Sequence, residues 1–463
     1  VPNCPHENCF KIRFKTKQLE GSMNTLDKET LGQQNKMLGL STFAFTICFA
    51  VWTIFSIIGL KIKADLGLTD TQFGILVATP ILTGSLSRIF LGIWTDQYGG
   101  RRVFSLLMMI TSVSVWMLAS VETYEMFLVA ALGVGFAGGS FAVGIAYVSR
   151  WYGKEKQGTA LGIFGMGNVG AAVTNFAAPY LVIAVGWEQA AQVYAVVLFA
   201  TSLIFFILSK EDPATKARRA SGEKADPAWM QLSPLKKLQV WRFSLYYFFV
   251  FGAFVALALW LPRYAQGVYG LGLKEAGLIA AAYALPGSIF RALGGWMSDK
   301  WGARMVMYWT FAGSAFICFL LSYPSTQYVV DGIEGPIAFT ISVPLYMFVI
   351  LIVGLGFFMS LGKAAVYKHI PVYYPDNVGS VGGLVGMIGG LGGFILPITF
   401  GYMNDHIGVW TSSFMLLFLI SAAALVWMHF SIRIMERKHI PALGSLPDFP
   451  ELQEIHKEHY TKG

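Results

Sequence analysis

Twelve apolar runs, each bounded by charge, glycine or proline, dominate the 463-residue chain. A helix needs about 20 apolar residues to cross a ~30 Å hydrocarbon layer. The runs cover about 38–60, 71–94, 103–120, 126–149, 158–183, 189–209, 243–265, 275–297, 305–323, 339–367, 377–401 and 409–432. Only 13% of residues are charged, against roughly 25% in an average soluble domain, so no soluble core could hide this much apolar surface. The expectation is an all-α membrane protein embedded in a lipid bilayer. Its 50 glycines suit helices that pack through small faces, where no hydrophobic effect drives association. A polar stretch divides the runs six and six. The expected organisation is an arm over 1–37, a six-helix bundle over 38–209, a central loop over 210–242, a second bundle over 243–432 and a tail over 433–463.

The net charge of +8 is read as a topology signal and not as a nucleic-acid surface, because the basic residues lie in short segments between apolar runs. With both termini cytoplasmic, 27 Lys and Arg fall on the cytoplasmic side. Four face the periplasm: Lys61, Lys63, Arg263 and Lys274. Positive charge resists translocation, so the distribution predicts N-in and C-in. The remaining three, Arg88, Arg291 and Lys363, lie inside spans. Cys48 and Cys318 sit in apolar runs as packing residues, while Cys4, His6 and Cys9 form a polar cluster short of the four ligands a structural metal site needs. No cofactor is called for. The first 37 residues lack the apolar stretch of a cleavable signal, and Met23 offers an alternative start that would make 1–22 an upstream extension.

An internal repeat supports the division. Arg88, Gly92, Asp96, Gly99 and Arg101 recur as Arg291, Gly295, Asp299, Gly302 and Arg304 at a constant offset of 203. Two six-span halves related by duplication place a site at their interface. The pattern G-x-x-x-D-x-x-G-x-R after the second span of each half resembles the loop signature of the major facilitator superfamily, which implies that fold for the whole twelve-span plan.

An arginine holds its proton, and burying one at mid-membrane costs about 2.5–3.5 kcal/mol even on the lenient scale. Arg88 and Arg291 occupy matched depths, and no Asp or Glu lies in the middle of any span. Two buried cations without a protein counter-ion point to a mobile anion, and the guanidinium fork suits a planar oxyanion. Phe141 and Phe251 are placed to stack on a flat anion, with Tyr247 one turn before Phe251 as a hydrogen-bond donor. Asn168, an amide in an apolar span, needs a partner, and Asn175 two turns on would face the same cavity. A glycine-rich segment runs through Gly162, Gly165, Gly167 and Gly170, and a second through Gly386, Gly389, Gly390, Gly392 and Gly393. Both allow close backbone approach and sliding.

These two segments, with the paired arginines, resemble the nitrate signatures of the NarK-type nitrate/nitrite porter family. The resemblance implies that Arg88 and Arg291 clamp nitrate, Phe141 and Phe251 sandwich it, and Tyr247 and Asn168 complete the pocket. Lys363 departs from that family's exchanger branch and resembles the branch regarded as nitrate/proton symporters. It is either a lysine snorkelling beside Lys368 or a third cationic group that, unlike arginine, can exchange a proton. Asp96 and Asp299 are expected to stabilise a cytoplasm-closed state as the halves rock. The expectation is therefore a monomeric, proton-coupled nitrate importer of the inner membrane. Nitrate/nitrite exchange, small-carboxylate exchange and a non-transporting nitrate sensor are the alternatives. No metal-ligand cluster, nucleophile-base pairing or phosphate loop in the spans suggests an enzyme.

Overall fold

A computed structural model describes residues 31–439, apart from 153, 214, 217–235 and 375–377. Twelve of its helices are long and apolar enough to cross a membrane. They are α1 (Leu31–Leu66), α2 (Asp70–Thr95), α3 (Gly100–Ser120), α4 (Tyr124–Ser149), α5 (Thr159–Val185), α6 (Trp187–Leu208), α7 (Leu238–Tyr269), α8 (Leu273–Trp301), α9 (Ala303–Leu321), α10 (Leu345–Ile370), α11 (Val381–Ile407) and α12 (Ser412–Ile434). Each overlaps its expected run. The metal-type cluster Cys4, His6 and Cys9 lies outside the described residues.

The tenth run needs correcting at its start. Its first residues belong to an antiparallel hairpin, β1 (Thr326–Gly332) and β2 (Gly335–Ile341), and α10 begins only after Pro344. Hydropathy alone merged the two. Only residues 339–341, the apolar end of β2, fall in that run, and their strand leads back to a turn closed by Gly335 at φ 131°, a conformation that favours glycine.

The repeat is visible in backbone geometry. Gly99 and Gly302 both adopt positive φ, 87° and 83°, at the sharp turn after the second helix of each half. Gly67 and Gly270, separated by the same 203 residues, both close the preceding turn at φ 63° and 65°. Each is a left-handed helix stop that glycine enters without steric cost. At α2, Thr69 adds a capping box with Gln72.

The two sets of six helices meet along α2 against α11 and α5 against α8. Missing side chains permit the approach. A Cβ on Gly74 would stand 2.4 Å from the Pro397 carbonyl, and one on Gly277 would stand 2.4 Å from the Asn175 carbonyl. Outward faces carry exposed apolar residues such as Val129, Ile207 and Phe316, as a lipid-facing surface requires.

Candidate functional site

Helices lining the middle of the molecule lose their regularity at one depth. In α7, Phe248–Ala253 is a π turn. In α4 and α5, Phe136–Gly139 and Met166–Val169 tighten to 3-10 geometry. Pro286 interrupts α8, and α11 breaks at Leu391 between glycine pairs. Such irregular backbone is tolerated at membrane depth where it is enclosed by protein or lines a cavity, and π turns concentrate at functional sites.

Arg88 and Arg291 are both buried at this level. Their guanidinium carbons stand 5.3 Å and 5.6 Å from the centre of the same Phe141 ring. Arg88 also lies 5.3 Å from Phe251 and 5.8 Å from Trp52, and Arg291 lies 5.8 Å from Tyr367. Cation–π contacts of this kind soften, but do not replace, the lost hydration of a guanidinium. One Arg88 nitrogen donates to the Gly386 carbonyl at 2.6 Å. Its Nε and Nη2, and Nη1 of Arg291, are buried without a partner. No ion pair among the described residues involves either arginine.

Phe141 and Phe251 face each other nearly in parallel, 22° apart with centroids separated by 6.4 Å. Two van der Waals contacts of ~3.5 Å need about 7 Å, so a small widening would admit a flat anion between the rings. Tyr247 stacks on Phe251 at 5.0 Å, and its buried hydroxyl has no partner. Asn168 is wholly buried, with both amide atoms unpartnered, in the 3-10 turn that packs against Pro286–Ile289.

Lys363 does not snorkel. It is fully enclosed, donates to the Gly287 carbonyl at 2.8 Å in the α8 interruption, and points its ammonium at the Phe254 ring. Asn175 also departs from expectation. It accepts from Ser56 at 2.8 Å and donates to the Ala258 carbonyl at 3.2 Å, so it ties α1, α5 and α7 together and does not face the pocket. Asp299 pairs with Lys368 of α10, inside the second set of helices. The side chain of Asp96 lies outside what the structure describes.

The glycine segments serve the site unequally. A Cβ on Gly165 would lie 2.8 Å from the Arg291 guanidinium carbon, and one on Gly390 would lie 2.5 Å from the Ser85 hydroxyl and 3.5 Å from Arg88. Gly162 has nothing within 4 Å and makes no close approach here.

Sequence reasoning missed Tyr367, whose ring lies edge-on to Phe141 and Tyr247 and whose hydroxyl donates to the Gly382 carbonyl at 3.1 Å. The signal was its position one turn after Lys363. Also missed was a latch between the halves at the Asp70 end. The Asp70 carboxylate accepts from Arg263 at 2.9 Å and Asn404 at 3.2 Å, while Asp405 accepts from the Asp70 and Thr71 N–H groups at 3.1 Å and 2.7 Å. A carboxylate from one half thereby caps a helix of the other.

Comparison with known proteins adds four findings. A family model described as Major Facilitator Superfamily matches residues 40–341 and 275–452. The chain is 43% identical to the probable nitrate/nitrite antiporter NarK1 of Thermus thermophilus over 86% of this chain and 91% of that one. It is 28% identical to the nitrite extrusion protein of Bacillus subtilis, covering 87% and 97%. Among solved structures, a bacterial homolog of the human lysosomal transporter Spinster aligns with a TM-score of 0.64 at 15% identity, over 87% of this chain and 97% of that one.

Proposed function

The chain belongs to the nitrate/nitrite porter family of the Major Facilitator Superfamily, and from that premise we propose that it imports nitrate by proton-coupled symport with alternating access. As a member it is a multi-pass transporter of the bacterial inner membrane and not an enzyme. The observation that carries the substrate reading is the pair of buried arginines over one aromatic ring, with N–H groups unengaged and no carboxylate paired with them among the described residues. Charge-assisted, forked donors and parallel ring faces suit a small planar anion. Arg88 and Arg291 clamp it, Phe141 and Phe251 cover its faces, and Tyr247 and Asn168 supply further polar contact.

With both termini cytoplasmic, the Asp70 latch closes the periplasmic side, and the anion leaves toward the cytoplasm. Bound anion offsets the repulsion between the two arginines and lets the bundles over 38–209 and 243–432 close around it. Asp96 and Asp299, in the last turns of the second helix of each half, then act when the cytoplasmic side shuts.

Uptake of nitrate alone is opposed by about 2.3 kcal/mol per 100 mV of inside-negative potential. One accompanying proton makes the step electroneutral, and two drive it inward. Lys363, enclosed beside the α8 interruption that leads into Arg291, is the group assigned to proton exchange. A second reading, nitrate/nitrite exchange, is favoured by the name of the Thermus relative. In that case Lys363 only staples the interrupted helix.

The test is nitrate uptake into proteoliposomes, with an inward proton gradient on one arm and preloaded nitrite without a gradient on the other. Gradient-driven accumulation abolished by an uncoupler, and lost in Lys363→Met, is the expected result. Uptake that ignores the gradient and requires internal nitrite assigns exchange. If formate or oxalate moves and nitrate does not, the substrate assignment is wrong. Nitrate binding without movement on either arm would leave a sensor.

A further inference from the structure

Ser85 lies one turn before Arg88 in α2, and the duplication puts Ser288 at the same point before Arg291 in α8, again 203 residues on. Both serines are wholly buried, but they are held differently. Ser288 donates to the Ala284 carbonyl at 2.8 Å, the back-bond to its own helix that a hydroxyl in a helix interior can make. Ser85 makes no such bond, and its hydroxyl has no partner among the described residues. An unpaired hydroxyl in a buried place is unfavourable, so what Ser85 faces matters.

The glycines opposite show where it turns. Ser87, the other serine beside Arg88 with an unpartnered hydroxyl, turns to α4, where a Cβ on Gly139 would lie 2.8 Å from its oxygen. Ser85 turns to α11. A Cβ on Gly390 would lie 2.5 Å from the Ser85 oxygen and 3.5 Å from Nη1 of Arg88, so hydroxyl and guanidinium border one small space that Gly390 leaves open. Nη1 is held by the Gly386 carbonyl, one turn earlier on α11, and the rest of the fork, Nε and Nη2, is unengaged. A hydroxyl beside a fixed cation turns its lone pairs toward the charge and its O–H away from it. That orientation presents a donor to an anion held by the same guanidinium.

We infer that Ser85 is a further substrate-binding residue and that its O–H favours nitrate over nitrite. The inference rests on the nitrate reading given above. Nitrite has two oxygens, which the paired arginines engage. Nitrate has a third, and Ser85 is a neutral donor to it on the Arg88 side. A site built to hydrogen-bond a group rejects the analogue lacking it, because a buried polar atom of the site is then left unpaired. Ser288, tied to its own helix, adds no equivalent contact beside Arg291.

Nitrate uptake into proteoliposomes, with nitrite as competitor, reads both affinities in one assay. Wild type should prefer nitrate. Ser85→Ala should raise the half-saturation for nitrate about tenfold, as expected for one hydrogen bond to a charged group, and leave inhibition by nitrite unchanged. Ser85→Cys refills the space with only a weak S–H donor and should lose the preference in the same way, whereas Ser288→Ala should keep it. A nitrate preference that survives in Ser85→Ala or Ser85→Cys overturns the assignment. Equal weakening of both anions, or the same loss in Ser288→Ala, marks a packing role and also overturns it. Wild type that moves neither anion fails before any variant is compared and removes the nitrate reading itself. A thermal melt verifies that each variant is folded.

Discussion

Two guanidiniums define this protein at the scale of single residues. Each is buried, each faces Phe141, and part of each donor fork is unengaged. A charge-assisted hydrogen bond contributes about 1.5–3 kcal/mol, so losing one arm of the fork should weaken nitrate about tenfold or more. Arg88→Lys keeps the charge but not the planar fork. It should raise the half-saturation for nitrate uptake by that factor in proteoliposomes. Normal nitrate kinetics with lysine there would remove Arg88 from the clamp. Lys363 illustrates the opposite limit of sequence reading. Its type announced function, but whether it snorkels or is enclosed depended on the helix beside it, and the Gly287 carbonyl decided that.

At the scale of elements, the site exists because five helices are locally irregular at the same depth. The glycines of α5 show how finely this is tuned. An added methyl at Gly165 meets the Arg291 guanidinium at 2.8 Å, while one at Gly162, a single turn earlier, meets nothing. Forcing an extra methyl into a packed site costs about 1–3 kcal/mol. Gly165→Ala should therefore cut nitrate uptake at least severalfold, whereas Gly162→Ala retains it. Parallel uptake and melting curves on the two variants check the contrast, and equal behaviour would mean that Arg291 repositions freely.

For the whole molecule, the latch joining Asp70 to Arg263 and Asn404, and Asp405 to the start of α2, holds one end of the two halves together. Asp70→Ala should shift the population toward states open at that end. Spin labels on Leu66 and Val409, both exposed and one in each half, would report a new longer distance by double electron–electron resonance. An unchanged distribution would show that helix packing alone keeps that end shut. The sequence by itself determined the twelve helices, the duplication and the arginine pair, because hydrocarbon thickness dictates run length and an uncompensated buried charge is costly wherever it lies. Tertiary structure decided what depends on contacts between distant segments. It gave the first residues of the tenth run to a hairpin, gave Asn175 to the seam between the halves, brought Tyr367 to the aromatic pocket and joined Asp70 to Arg263. Periodicity and spacing report how a segment meets its surroundings on average, and only packing determines which neighbour satisfies a particular polar group.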